Sequence, residues 1–287
     1  MSTEIQTLNI EGMSLSEAMG MSAPTGGSQS TLPRIKQIHS AITVEDSEGD
    51  EKIVVPIGAY QVTLPDGEVV YSKTITMRLF SQRMQWQRWD AGANTMHKTL
   101  LSGNLNVDLK DTTGRHNCGR PSGYIKDFKS LPEEMKSVIR DVKRTKVMLG
   151  MVRLDKPIDE QGNAVKGHDE EIPFVMDSKN TESNKAIDSA LAQIMAKKLT
   201  PVEHTLNMGS AKRDMNSGGK YAVIVPSLGI KVPYKPEDSQ TLKSFLEWIT
   251  NTNTWVESKF NEMTKAYISN EDAELVGSIV EVKEFEG

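Results

Sequence analysis

Between Arg83 and Lys156 the chain carries fifteen basic residues against eight acidic ones, a local +7 in a protein of net charge −5. Trp86, Trp89, Tyr124 and Phe128 are set among those cations. Cations that neutralise phosphates, interleaved with rings that stack on bases, are the two components a surface for single-stranded nucleic acid needs. The densest part is the loop Gly114-Arg-His-Asn-Cys-Gly-Arg-Pro-Ser-Gly123, followed by Tyr124, Lys126, Phe128 and Lys129. Glycine-rich backbone there lets Arg115 and Arg120 approach a phosphate closely. Arg83 and Arg88 precede the loop, and Lys143 and Arg144 follow it. The stretch Gly209 to Gly219, read as a second glycine-bearing loop, brings Lys212 and Arg213, with Lys220 next to it, to the same anion-contacting face. Tyr124, Phe128 and Trp86 are the rings expected to stack bases.

Other chemistries find less support in the residue pattern. His116 and Cys118 are the only close His/Cys pair and Cys118 is the sole thiol, so a structural zinc site lacks its four short-spaced ligands. No Walker loop, Gly-x-Ser-x-Gly, His-Glu-x-x-His or dinucleotide fingerprint occurs. Asp108 and Asp111 flank Lys110, and Asp169, Glu170 and Glu171 cluster further on. Either group suits a metal-dependent nuclease, but solvated loop charge explains both better. The expectation is a non-enzymatic protein with no metal and no cofactor. One cysteine excludes an intrachain disulfide, and with no export signal or membrane-length apolar run the chain reads as cytoplasmic, without a membrane partner. The pI near 5.7 makes any polyanion site a local patch.

The elements that must position these residues follow from the pattern. Residues 1–32 read as a flexible segment, with one helical turn near Leu15 to Met19. Residues 33–235 form a β-rich core with helical insertions, and 236–270 form C-terminal helices. Strands are expected at Ile53–Val55, Ala59–Leu64, Glu68–Phe80 with an extension through Trp89, Thr95–Leu101, Leu105–Leu109, Thr145–Leu154, Ile172–Met176, Val202–Met208 and Lys220–Val225. Pro65-Asp66-Gly67 marks a tight turn. Ser130 is placed to cap a helix running to about Val142, and Ile187, Ala190, Leu191, Ile194 and Met195 share one face of a helix over Thr181–Lys198. Many short strands with helical insertions give an α+β, mainly antiparallel architecture, for which an OB-fold-like small barrel is the specific expectation.

Residues 271–287 carry six acidic residues against Lys283 and end in Glu284-Phe285-Glu286-Gly287. Such a tail can occupy the protein's own cationic groove or dock on a basic partner through Glu281, Glu284, Phe285 and Glu286. Ser278 to Val282 can alternatively pair as a strand.

Three stretches resemble bacteriophage-encoded single-stranded DNA-binding proteins of replication modules. They are Thr76 to Asp90, Gly114 to Phe128, and the acidic ending with Phe285. The resemblance covers the middle third and the terminus. It implies an OB-type barrel, coating of single-stranded DNA in the host cytoplasm, and contact with replication enzymes through the tail. This tail is less densely acidic than that pattern and ends in Gly287 rather than an aromatic residue. A homo-oligomer is left open. The alternatives are a structural or assembly protein whose basic segment is a protein interface, and a metal-dependent nuclease.

Overall fold

Sixteen residues, Ile75–Asp90, make the strand around which the fold is arranged, β6. The computed structural model describes residues 32–45, 49–168, 170–215 and 218–284. The other strands are β1 (Arg34–Gln37), β2 (Ile42–Glu45), β3 (Glu51–Val55), β4 (Tyr60–Thr63), β5 (Val69–Ser72), β7 (Thr95–Lys98), β8 (Lys143–Leu154), β9 (Ile172–Ser178), β10 (His204–Asp214) and β11 (Lys220–Lys231). Among the described residues three α-helices accompany them: α1 (Glu133–Asp141), α2 (Thr181–Ala196) and α3 (Pro236–Glu284). Nine strands join one sheet in the order β11-β10-β6-β8-β9-β1-β4-β5, with β7 on the far end of β6, and β2–β3 pair separately. All pairs are antiparallel except β1 with β9. The architecture is thus α+β with mostly antiparallel strands in a largely open sheet. The ladder has two ends, β11 and β5, although Tyr60 of β4 donates its hydroxyl to the Gly209 carbonyl of β10 at 3.0 Å.

Side chains on β6 alternate between two faces, and a bulge between Leu79 and Ser81 shifts the alternation by one. On one face Ile75, Met77 and Leu79 meet Met148, Val152, Phe174 and the buried residues Ile187, Ala190, Leu191 and Ile194 of α2. On the other face Val147, Leu149 and Val175 pack against Phe245 and Ile249 of α3. Gly150 sits opposite the bulge, where a Cβ would stand 2.1 Å from the Arg78 carbonyl oxygen, so the strand crossing admits no side chain.

Several expected elements differ. Glu68–Phe80 is two strands, because the Ser72 hydroxyl donates to the carbonyls of Thr74 and Asp155 and interrupts the strand between β5 and β6. Leu105–Leu109 forms no strand. Ser102 and Asn104 side chains accept the N–H groups of Asn104 and Asn106, which favours turns over a ladder. Ser130 does not cap α1: its hydroxyl donates to the Asp127 carbonyl, and the helix opens at Pro132 without a side-chain cap. Met195 is exposed rather than core. Gly209–Asp214 continues β10, so the expected loop is a hairpin tip beginning at Met215. α3 extends through Ser278–Val282 to Glu284, so that segment is helical and makes no strand. The helical turn expected near Leu15 to Met19 lies outside the described residues, as do Phe285 and Glu286.

The buried Arg78 fixes the start of α3 to the sheet. Its guanidinium donates to Asp238 at 3.1 and 3.2 Å and to Glu171 at 2.9 Å. Further along, Asn253 brackets Leu101, accepting from its N–H at 2.7 Å and donating to its carbonyl at 3.1 Å. Among the described residues no helix is long and apolar enough to cross a membrane.

Candidate nucleic-acid interface

The far end of β6 carries the predicted site residues, and the pleat divides them. Trp86 and Arg88 lie on the α2 side, while Arg83 and Trp89 lie on the α3 side. Arg144 is the cross-strand partner of Trp86, and Lys143 is that of Gln87. Arg144 therefore shares the Trp86 face, and Lys143 the opposite one.

The glycine loop wraps around this end because one buried carboxylate organises it. Asp111, fully buried, accepts the N–H groups of Thr113 at 2.7 Å, Arg115 at 3.4 Å and Cys118 at 2.6 Å. Asn117 braces the loop, accepting from Leu109 N–H at 3.0 Å and donating to Asp108 at 3.1 Å. Asn117, Cys118 and Gly119 then take φ values of 54°, 55° and 86°. That tight left-handed turn delivers Arg120 onto the face of Trp86, guanidinium carbon 4.4 Å from the ring centroid. Of the two carboxylates weighed for nuclease chemistry, Asp111 is buried in hydrogen bonds to the loop, and Asp108 is exposed and accepts from Asn117. Among the described residues no group of three or more His, Cys, Asp or Glu side chains could hold a metal ion.

The first half of the loop belongs to α3. A Cβ at Gly114 would stand 2.9 Å from Met263 Cβ, and Thr264 donates to the Gly114 carbonyl at 3.3 Å. Glycine is required there by helix packing, not by an approaching phosphate. Arg115 lies over Tyr267 at 5.5 Å, Lys110 over Phe260 at 5.4 Å, and Lys98 over Trp255 at 4.7 Å. This pairing of three loop and strand cations with three helix aromatics was not anticipated from sequence. Burial pushes the Lys98 pKa down, Arg34 adds to that, and Asp177 partly opposes it.

Trp86 is corrected from a stacking platform to a buried residue. It is 8% exposed, packed with Leu105, Leu109, Cys118 and Val142, and covered by Arg120. Trp89, by contrast, is 51% exposed, and Tyr124 is 89% exposed. Phe128 is half-buried beneath Arg140 of α1. Lys126, Lys129, Lys143 and Arg144 are exposed. Arg83 is turned back on the Gln82 carbonyl at 2.8 Å.

The β10–β11 tip does not join this group. The register Leu206↔Met77 to Met208↔Ile75 sends β10 past the start of β6, away from Trp86. Trp86 lies eleven residues along β6 from Ile75, roughly 35 Å for extended chain. Arg213 at the tip is also engaged, pairing with Glu182 at 2.7 Å. Lys212 and Lys220 are exposed there.

The structure therefore lays Arg120 on the Trp86 ring, sets Arg88 two residues along the same face with its Nη1 near Gly119, and puts Arg144 opposite Trp86 in the ladder. In the segment carrying Tyr124, Lys126, Phe128 and Lys129, Phe128 lies beneath Arg140 of α1, whose Val138, with the adjoining Val142, packs on the Trp86 cluster. None of these arginines or lysines is ion-paired with a carboxylate among the described residues. Elsewhere Arg78, Lys136, Arg140, Lys146 and Arg213 are each neutralised. No family model matches the chain, and no curated protein or solved structure shows significant similarity to it.

Proposed function

We propose that the protein is a non-enzymatic single-stranded DNA-binding protein of a phage replication or recombination module. The observation that carries this reading is the set of three arginines without carboxylate partners at and beside Trp86, with the fully presented ring of Tyr124 four residues beyond Arg120 in the chain. Uncompensated positive charge beside an exposed ring suits a flexible polyanion with unstacked bases. Arg88, Arg120, Arg144, Lys126 and Lys129 meet phosphates, and Tyr124 takes a base, with Trp89 available on the opposite face. The sheet reads as an OB-type barrel that is not fully laddered. The Tyr60–Gly209 hydrogen bond supports this, as does Gly58, where a Cβ would stand 2.5 Å from Ser210 Oγ. In the same reading, acidic residues beyond Asn270 contact replication enzymes.

Fluorescence titration with oligo(dT) at two salt concentrations tests the proposal. Binding should weaken steeply with salt, with a slope of about −0.7 per phosphate neutralised, and the double variant R88Q/R144Q should lose about 1.4 of that slope. Tyr124→Ala should cost about 1–3 kcal/mol of affinity. No binding at low salt overturns the reading. A chain ending at Asn270 retains Tyr267 over Arg115, and tighter binding by it would show that the acidic segment competes with DNA.

A further inference from the structure

We propose that Arg88, Arg120 and Arg144, gathered around the indole of Trp86, form a seat for one phosphate group. This deepens the single-strand reading and rests on it for the physiological ligand. The seat is built rather than incidental. Arg120 is held by stacking on Trp86 and by donating to the Pro121 carbonyl at 3.0 Å, leaving most of its donors unspent. Arg88 follows Trp86 on the same face, and its Nη1 would lie 3.9 Å from a Cβ at Gly119, next to Arg120. Arg144 faces Trp86 directly across the ladder. The strained turn Asn117–Gly119, held by Asp111, fixes Arg120 before any ligand arrives.

An independent observation points the same way. Trp86 is more than nine-tenths buried, and its indole N–H, itself closed off from solvent, has no acceptor among the described residues. A buried donor left unpaired is costly, so native structures rarely retain one without a use. Burial also lowers the Arg120 pKa, the expected sign for a cation that is desolvated without a compensating carboxylate. A phosphate directs its oxygens tetrahedrally, two terminal and two bridging in a diester and three or more terminal otherwise, so guanidinium forks can reach it from several directions, whereas a carboxylate's two oxygens lie in one plane. Phosphate is therefore favoured over an acidic side chain of a partner protein. The shared chemistry is that of a phosphodiester in a strand, a terminal phosphomonoester or free phosphate.

The test is the indole ¹⁵N–¹H resonance of Trp86 in the full chain, identified by its loss in W86F. Titration with inorganic phosphate at constant ionic strength should shift that resonance saturably, while acetate and chloride should not. R120Q, and separately R144Q at an exposed position, should weaken the response about tenfold, as loss of one charge-assisted hydrogen bond implies. No saturable shift, an equal shift with acetate, or an undiminished response in both variants overturns the seat. Oligo(dT) with and without a 5′-phosphate separates the sources: equal responses assign the seat to backbone diesters, and a response only to the phosphorylated oligomer assigns it to a strand end. A phosphate response without oligo(dT) binding leaves the seat standing and removes the DNA reading. Oligo(dT) binding without any Trp86 response does the reverse.

Discussion

Asp111 shows how one residue can matter more than its neighbours of the same charge. The local pattern Asp108-Leu-Lys-Asp111 suits either a metal site or a solvated loop, and nothing in the spacing separates a ligand from a brace. Full burial and three accepted backbone N–H groups decide it. Asp111→Ala should destabilise the protein by about 2–4 kcal/mol in chemical denaturation, because an orphaned buried donor costs about 1–3 kcal/mol. The same variant should weaken oligo(dT) binding, since Arg120 loses the turn that places it. Unchanged stability would mean the turn does not depend on the carboxylate. Trp86 gives a parallel lesson: its period-two placement beside Arg88 was legible, but which face of the sheet was filled was not. That depended on Leu105, Leu109 and Cys118, which arrive from a loop whose path no local pattern specifies.

At the scale of elements, strands and helices with sustained periodicity were legible, including β8, β9, α2 and the extension of β6 through Trp89. Turns made by side chains, at Ser72, Ser102 and Asn104, were not, because a hydroxyl or amide that competes with a ladder looks like any other polar residue. The placement of α3 was equally hidden. It rests on Arg78, Asp238 and Glu171, three charges far apart in sequence. Burial acts to raise the Asp238 pKa, but donation from Arg78 and from the Lys235 N–H outweighs it, and the net shift is downward. A carboxyl whose pKa is depressed by folding adds stability above its unfolded value, and that stability is lost as pH falls through the folded one. Asp238→Asn should therefore cost about 3–5 kcal/mol near neutrality. In melting temperatures measured across acid pH, its deficit against the parent should shrink as the parent's Asp238 becomes protonated. A deficit constant with pH would assign the effect to packing alone.

On the scale of the whole molecule, charge is partitioned along β6. Lys212 and Lys220 sit beyond one end, and the arginine group sits near the other. A strand bound at the Trp86 end has no need to reach the hairpin. K212Q/K220Q should leave oligo(dT) affinity and its salt slope within about twofold, whereas R88Q/R144Q should remove about 1.4 of that slope. Equal losses from the two double variants would show instead that a single strand traverses the whole sheet. The sheet's connectivity also bears on how the chain acquires its shape during synthesis. β1 lies between β4 and β9, antiparallel to one and parallel to the other. Its first partner follows within a few turns of chain, but its second leaves the ribosome only after β5 through β8. Long-range pairing of this kind slows folding, because loop closure must precede the contacts that reward it. Until Met176 emerges, Ile35 has a neighbour on one side only, and the nascent protein carries an open strand edge that a chaperone or a second ribosome-bound copy can reach first.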